Sequence, residues 1–151
     1  MSSMKHVLPV VIGTAVVALS GAAHAGATAE QAQAMSERAS AHILSAGEEK
    51  AFDDFTNGTA FKDGELYVFC YRPDGTNVAH GGNAKLVGQQ LLDVKDPDGK
   101  RPNYEIVQMG EKNGRGWVDF KWVNPVSKKI EQKSAYVIKT KGVTCGVGYY
   151  K

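Results

Sequence analysis

The hydrophobic positions of this chain change period several times, and each change marks a new element. Residues 7–18 are almost continuously apolar, interrupted by Pro9 and Gly13. From Ala32 the apolar positions thin out to Ala32, Met35, Ala39, His42, Ile43 and Ala46, the three- and four-residue spacing of one helix face. Thr28 and Gln31 supply a capping box ahead of that helix, and Gly47 supplies its stop. Glu48–Phe55, with Phe52 and Phe55 three apart, predicts a second, short helix. Asn57-Gly58 and Asp63-Gly64 then punctuate the chain. Over Glu65–Arg72 the alternation disappears. Aromatic and aliphatic side chains occupy both parities there, as in a strand covered on both faces. Pro73-Asp74-Gly75 turns the chain, and a second short strand ends at His80.

Beyond His80, Gly81-Gly82-Asn83 reads as a loop, Lys85–Val94 has room for a helical turn or two, and Asp96-Pro97-Asp98-Gly99 is a turn. Pro102 suits the first position of a helix, and Tyr104, Val107 and Met109 give it a short amphipathic stripe before Asn113-Gly114. Three strands follow, Gly116–Asn124, Ile130–Thr140 and Val143–Tyr150, with turns at Asn124-Pro125 and Lys141-Gly142. Two helices, two strands, a helical crossover and a three-strand meander make an α+β domain with five antiparallel strands.

Register assigns faces. A two-residue turn at Lys141-Gly142 sets Ile138 opposite Cys145, Tyr136 opposite Val147 and Ser134 opposite Tyr149. If the last strand also lies beside the central one with Cys70 opposite Cys145, one face carries Leu66, Val68, Cys70, Tyr136, Ile138, Cys145 and Val147, suited to packing under the N-terminal helices. The other carries Tyr67, Phe69, Tyr71, Lys133, Ala135, Gly146 and Gly148. A turn around Pro125 that pairs Phe120 with Lys133 adds Phe120 and Trp122 to it. Two glycines in mid-strand leave a hollow there, ringed by aromatic side chains, with Lys133 the one charged group near its middle. Two readings follow. Either the face is a half-apolar receptacle for a small carboxylate, or Lys133 reaches to solvent and the rings form ordinary core; composition alone favours the second.

The composition narrows the function classes. Lys5, the apolar run and Ala23-His24-Ala25 make residues 1–25 a cleavable export signal, with residues 26–151 forming one domain. Formal net charge is +2, and Lys5 is the only Lys or Arg before Gly26, so there is no basic footprint for nucleic acid. No second long apolar segment follows to hold the protein in a membrane after cleavage, and the expected location is periplasmic or secreted. Both cysteines lie in the exported part, where a disulfide forms and persists.

The segments NGTAFKDGELYVFCYRPDG, NVAHGGNAKLVGQQLLDVKDPDGK, GRGWVDFKWVNPVSKKIEQKSAYV and GVGYYK resemble the single Cache domain family, type 2, of extracytoplasmic PAS-like sensors. The resemblance runs from about Thr28 to Lys151. It implies a PAS-like five-stranded antiparallel sheet in the order 2-1-5-4-3, with the N-terminal helices on one face and the strand 2–3 crossover on the other. It also implies a small ligand, often a short carboxylate, held between the sheet and the crossover, here Gly81–Gly114. Members usually sit outside a chemoreceptor or histidine kinase and serve signal transduction and chemotaxis. This chain has no second transmembrane segment or signalling module, so the expectation is a stand-alone form acting on a membrane receptor or kinase. The same strand order sets Glu65–Arg72 beside the last strand, and a Cys70–Cys145 disulfide is the preferred reading over a redox switch or metal site.

The ligand-binding expectation rests on Lys133 as counter-charge, on Tyr67, Phe69, Phe120 and Trp122 as walls, and on His80 and Tyr136 as weaker contacts. His80 reads equally as a hydrogen-bonded structural residue. Trp117 and Trp122 are five apart and point to opposite faces, so one of them lines the hollow. No metal-ligand spacing stands out, and Asp96-Pro97-Asp98-Gly99 reads as a plain turn. No cofactor is expected. Ser134 has no visible base, so no enzyme is expected either. The alternative is an exported protein-interaction module with a filled core and no small ligand.

Overall fold

A computed structural model describes residues 26–151; the export signal expected over residues 1–25 lies outside them. Helix α1 (Ala29–Ala46) begins on the expected capping box. Thr28 Oγ1 accepts the Gln31 N–H, and Gln31 Oε1 accepts the Thr28 N–H. Gly47, at φ 86°, ends α1 and opens α2 (Glu48–Asn57). The buried stripe of α1 is Ala32, Met35, Ser36, Ala39 and Ile43. Ala46 is exposed, and His42 is partly buried at the edge, where its Nε2 meets Asp54 Oδ2 at 2.8 Å.

The strands are β1 (Lys62–Asp63), β2 (Leu66–Tyr71), β3 (Asn77–His80), β4 (Arg115–Val123), β5 (Ile130–Thr140) and β6 (Val143–Tyr150). Leaving out the two-residue β1, they pair as β3-β2-β6-β5-β4, which is 2-1-5-4-3 by order of appearance. β1 adds a sixth strand that the residue pattern does not announce: the two-residue turn Gly64-Glu65, with Gly64 at φ 58°, folds Asp63 back opposite Leu66 and Lys62 opposite Tyr67. Every residue of β2 is buried, as its loss of alternation requires.

The crossover is mostly irregular backbone ahead of its one helix. Lys85–Val94 holds only a single 3-10 turn, Ala84–Leu86, and then Gly88 takes φ 89°. From there the backbone is pinned by hydrogen bonds to its neighbours: Gly88 N–H to Asn77 O, Asn77 N–H to Gln89 O, and Leu91 N–H to Gly75 O. Asp96 closes the next turn as an Asx cap, accepting the Asp98 and Lys100 N–H groups. Helix α3 (Pro102–Asn113) starts with Pro102 as predicted, and of its expected stripe Val107 is buried and Met109 packs half-buried against the core, but Tyr104 does not; Asn103, Ile106 and Gly110 complete the packed face instead. Tyr104 is exposed, under the Arg101 guanidinium at 4.3 Å. Gly110 is what lets α3 lie on β6, since a Cβ there would stand 2.1 Å from Thr144 Oγ1.

The sheet therefore divides two cores. Under α1 and α2 lie Leu66, Val68, Cys70, Val143, Cys145 and Val147, with a disulfide joining Cys70 to Cys145. Under α3 and the crossover lie Tyr67, Phe69, Tyr71, Phe120, Ala135 and Val137, with Leu91, Ile106 and Val107 above them.

Candidate functional site

The inter-strand register brings the candidate residues together. Phe120 faces Lys133 across β4 and β5, Phe69 faces Gly146 across β2 and β6, and Ala135 faces Gly148 across β5 and β6. Both glycines open onto this face: a Cβ on Gly148 would lie 2.4 Å from Lys133 Cε, and one on Gly146 would lie 2.9 Å from Phe69 Cζ. The space those missing side chains leave is where the lysine stem and the phenylalanine ring sit. Tyr67, Phe69, Tyr71, His80, Phe120, Trp122 and Lys133 line one recess, closed from above by Asn103 and Ile106 of α3.

Lys133 does not reach to solvent; it is 1 % exposed. Its Nζ donates to Tyr67 Oη at 2.9 Å and lies 4.2, 5.2, 6.0 and 5.0 Å from the ring centres of Tyr67, Phe69, Phe120 and Tyr150. Burial pushes its pKa down to about 7, against an opposing pull from the Glu65 carboxylate. His80 is equally enclosed. Its Nδ1 accepts the Asn83 N–H at 2.9 Å, which assigns the ring proton to Nε2. Burial, and then the charge of Lys133, push it down to about 3, so the imidazole is neutral. Tyr67 and Tyr71 are held protonated by the same desolvation. The recess thus offers one cation, a neutral imidazole donor and phenol hydroxyls inside an aromatic wall.

Six of the seven expected contacts share this recess. Tyr136 does not: residues 133, 135 and 137 of β5 point to this face, and alternation sends Tyr136 to the other, where it packs on Trp117 at 5.2 Å. Of the two tryptophans, Trp122 lines the recess. Asn103, Ile106 and Tyr71 complete the lining without having been candidates. Tyr71 had a signal, being two residues from Phe69 on the same face, whereas a polar Asn103 on an amphipathic helix reads as solvent-facing. It is 1 % exposed, with its amide donating to Leu91 O at 3.0 Å. Among the described residues, no group of three or more His, Cys, Asp or Glu side chains is placed to hold a metal ion.

Free space in the recess is small. About 10 Å³ is open to the centre of a water, room for about one molecule. Outside it, across Tyr67, His80 and Trp122, lies a groove of about 280 Å³ bounded by Gly82, Asn83, Leu86, Val123, Pro125 and Lys128. Gly148→Ala is therefore expected to destabilise the fold by about 1–3 kcal/mol, because the new methyl clashes with the Lys133 stem and cannot back away, a backbone carbonyl, Ser134 O, lying 3.0 Å from the same Cβ. Denaturant unfolding checks this; an unchanged midpoint would show that the slot has slack.

The comparisons with known proteins agree with this architecture. Among curated proteins, the chain is 35% identical over 77 residues to the sensor histidine kinase MctS of Rhizobium johnstonii, spanning 51% of this chain and 16% of that protein. It is 31% identical over 75 residues to the methyl-accepting chemotaxis protein McpP of Pseudomonas putida, spanning 48% of this chain and 14% of that one. The matched segments are thus a small part of much longer proteins. Among solved structures, a methyl-accepting chemotaxis protein from Vibrio parahaemolyticus superposes with TM-score 0.70 at 20% identity, covering 80% of this chain and 86% of that one. A periplasmic sensor domain of a chemotaxis protein superposes with TM-score 0.64 at 26% identity, covering 80% and 88%. A Cache chemosensory domain described for carboxylic acid recognition gives TM-score 0.63 at 22% identity, covering 80% and 86%. No helix among the described residues is long and apolar enough to cross a membrane. The family model for single Cache domain 2 matches residues 26–150, and the chain belongs to that family of extracytoplasmic sensor domains.

Proposed function

We propose that this chain is an exported, non-enzymatic sensor module that binds a small organic acid non-covalently. Lys133 is the counter-charge, Tyr67, Phe69, Phe120 and Trp122 are the walls, and the neutral His80 is a donor at the rim. The observation that carries this reading is a fully buried ammonium group facing phenols and aromatic rings, with no carboxylate paired to it among the described residues. Burying an isolated cation is costly, and an incoming carboxylate relieves that cost. The carboxylic acid recognition described for one structural neighbour agrees with this. The recess has room for about one water, so binding requires the crossover, residues 81–114, or the Trp122 side chain to move outward. That movement changes the surface offered to a membrane receptor or kinase, a population shift in which the ligand selects the wider state.

The small free volume also favours a second reading, an interaction module whose core is filled and which binds no small molecule. Thermal unfolding in the presence of short carboxylic acids, amines and purines separates the two. At about 100 times its Kd a ligand adds roughly 2.7 kcal/mol, a rise in Tm of several degrees. Carboxylates are expected to raise the Tm of wild type and to add nothing to Lys133→Met. An equal rise in both proteins would remove Lys133 from the site, and no rise with any acid would favour the filled-core module.

A further inference from the structure

An ammonium group buried without an anion is poised to give up its proton, and the surroundings of Lys133 make it the one group there placed to do so near neutrality. From β2 it is faced by Tyr67 and Tyr71, from β3 by His80 and from β6 by the Tyr150 ring. β4 and α3 contribute Phe120, Trp122, Asn103 and Ile106, none of which titrates. The three phenols are held neutral by burial, and His80 is already neutral. Glu65, just before β2, acts on Lys133 through its charge, but its carboxylate oxygens are engaged elsewhere, by the Ala27 and Tyr150 N–H groups and Asn124 Nδ2.

We propose that the domain takes up its acid and a proton as one linked event: a carboxylate reaching the recess draws a proton onto Lys133 Nζ and loses its hold when that proton is withdrawn. This rests on the acid-binding reading above and adds its regulation. The amine has its counter-ion only when the acid is bound, so the ammonium form is favoured in the complex more than in the free domain. Tyr67 suits both forms, because its hydroxyl accepts from an ammonium and donates to a neutral amine at the same 2.9 Å separation. With the free Lys133 titrating at about 7, occupancy in alkaline surroundings follows the product of acid anion and proton concentrations. That product is proportional to the undissociated acid. The domain would then report the protonated, membrane-permeant form of its ligand rather than the total acid, and would become a plain anion receptor below neutrality.

Calorimetric titration of the purified protein with propionate, at pH 8 in two buffers of different ionisation enthalpy, counts the protons directly. The linkage predicts uptake of about 0.9 proton per propionate and an affinity that falls about tenfold per pH unit from 8 to 9.5 while staying level below 6. The ligand-free protein is titrated in parallel by the ¹³Cε resonance of Lys133, assigned by its loss in Lys133→Met, with an expected midpoint near 7. A midpoint above 9, or propionate binding with no proton uptake, overturns the linkage and leaves acid binding standing. A midpoint near 7 in a protein that binds neither propionate nor any other acid of the panel overturns the acid reading, and the linkage with it.

Discussion

Lys133→Met is expected to make the ligand-free domain more stable, by several kcal/mol at pH 6 and by little at pH 10. Folding takes this amine from a pKa of 10.5 to about 7. Between those values the unfolded chain holds a proton that the folded chain has released, so wild-type stability rises with pH across the window. Below about 7 both states are protonated and the whole penalty is in force, roughly 5 kcal/mol at 1.36 kcal/mol per pH unit. Above about 10.5 both states are neutral and the penalty is gone. Methionine has nearly the same length, carries no charge and suits a slot between Gly148 and four rings, so it removes the penalty. It also gives up the hydrogen bond to Tyr67, about 1 kcal/mol in the other direction. Urea unfolding at pH 6, 8 and 9.5 reads the difference, which should shrink steadily with pH. A variant less stable than wild type at pH 6 would mean that Lys133 is a stabilising element of the core. If the prediction holds, the same substitution strengthens the fold and abolishes acid binding, the trade-off expected where a site keeps an unsatisfied charge for a ligand.

Most of this arrangement was legible because one turn controls it. Lys141, at φ 54°, closes the β5–β6 hairpin in two residues, and every pairing from Ile138–Cys145 to Ser134–Tyr149 follows. Phe120 opposite Lys133 and Cys70 opposite Cys145 needed one further assumption each, about a turn and about a strand neighbour. What was not legible depends on something other than period. The path of residues 87–101 is set by backbone bonds to Asn77 and Gly75, which leave no hydrophobic pattern behind. The packed face of α3 turns on Gly110, whose value is the close approach of Thr144 rather than any side chain of its own. Asn103 lies buried because Leu91 O needs a donor, a need invisible until the crossover is placed. Tyr136 failed as a contact for the opposite reason. The alternation that put Lys133 on one face already put Tyr136 on the other, and closeness in sequence does not override a period of two. The exposure of Lys133 could not be read at all. A lysine stem either snorkels or stays down according to what stands over it, and here α3 and the crossover cover the face on which it lies.

Removing the Cys70–Cys145 bond is expected to cost about 4 kcal/mol, and to reach the recess from behind. The bond closes a loop with a sequence separation of 75, and in the chain-entropy account a loop of that length restrains the unfolded ensemble by about 4 kcal/mol. Both sulfurs lie in the core beneath α1 and α2, at 0 and 3 % exposure, so a reductant meets them only when that core opens. Reduction under native conditions should therefore be slow and should follow the unfolding rate rather than the reductant concentration. The bond joins the two strands that make the hollow: β2 carries Tyr67 and Phe69, and β6 carries Gly146 and Gly148. Loosening the β2–β6 pairing thus separates the ring walls from the glycine gap they enclose. The double variant Cys70→Ala, Cys145→Ala should lose the 4 kcal/mol in denaturant unfolding and also bind the acid more weakly, although neither sulfur faces the recess. A stability loss under 1 kcal/mol would show that β2 and β6 stay paired on their backbone hydrogen bonds and packing alone. Intact masses with and without reductant confirm which form is being measured.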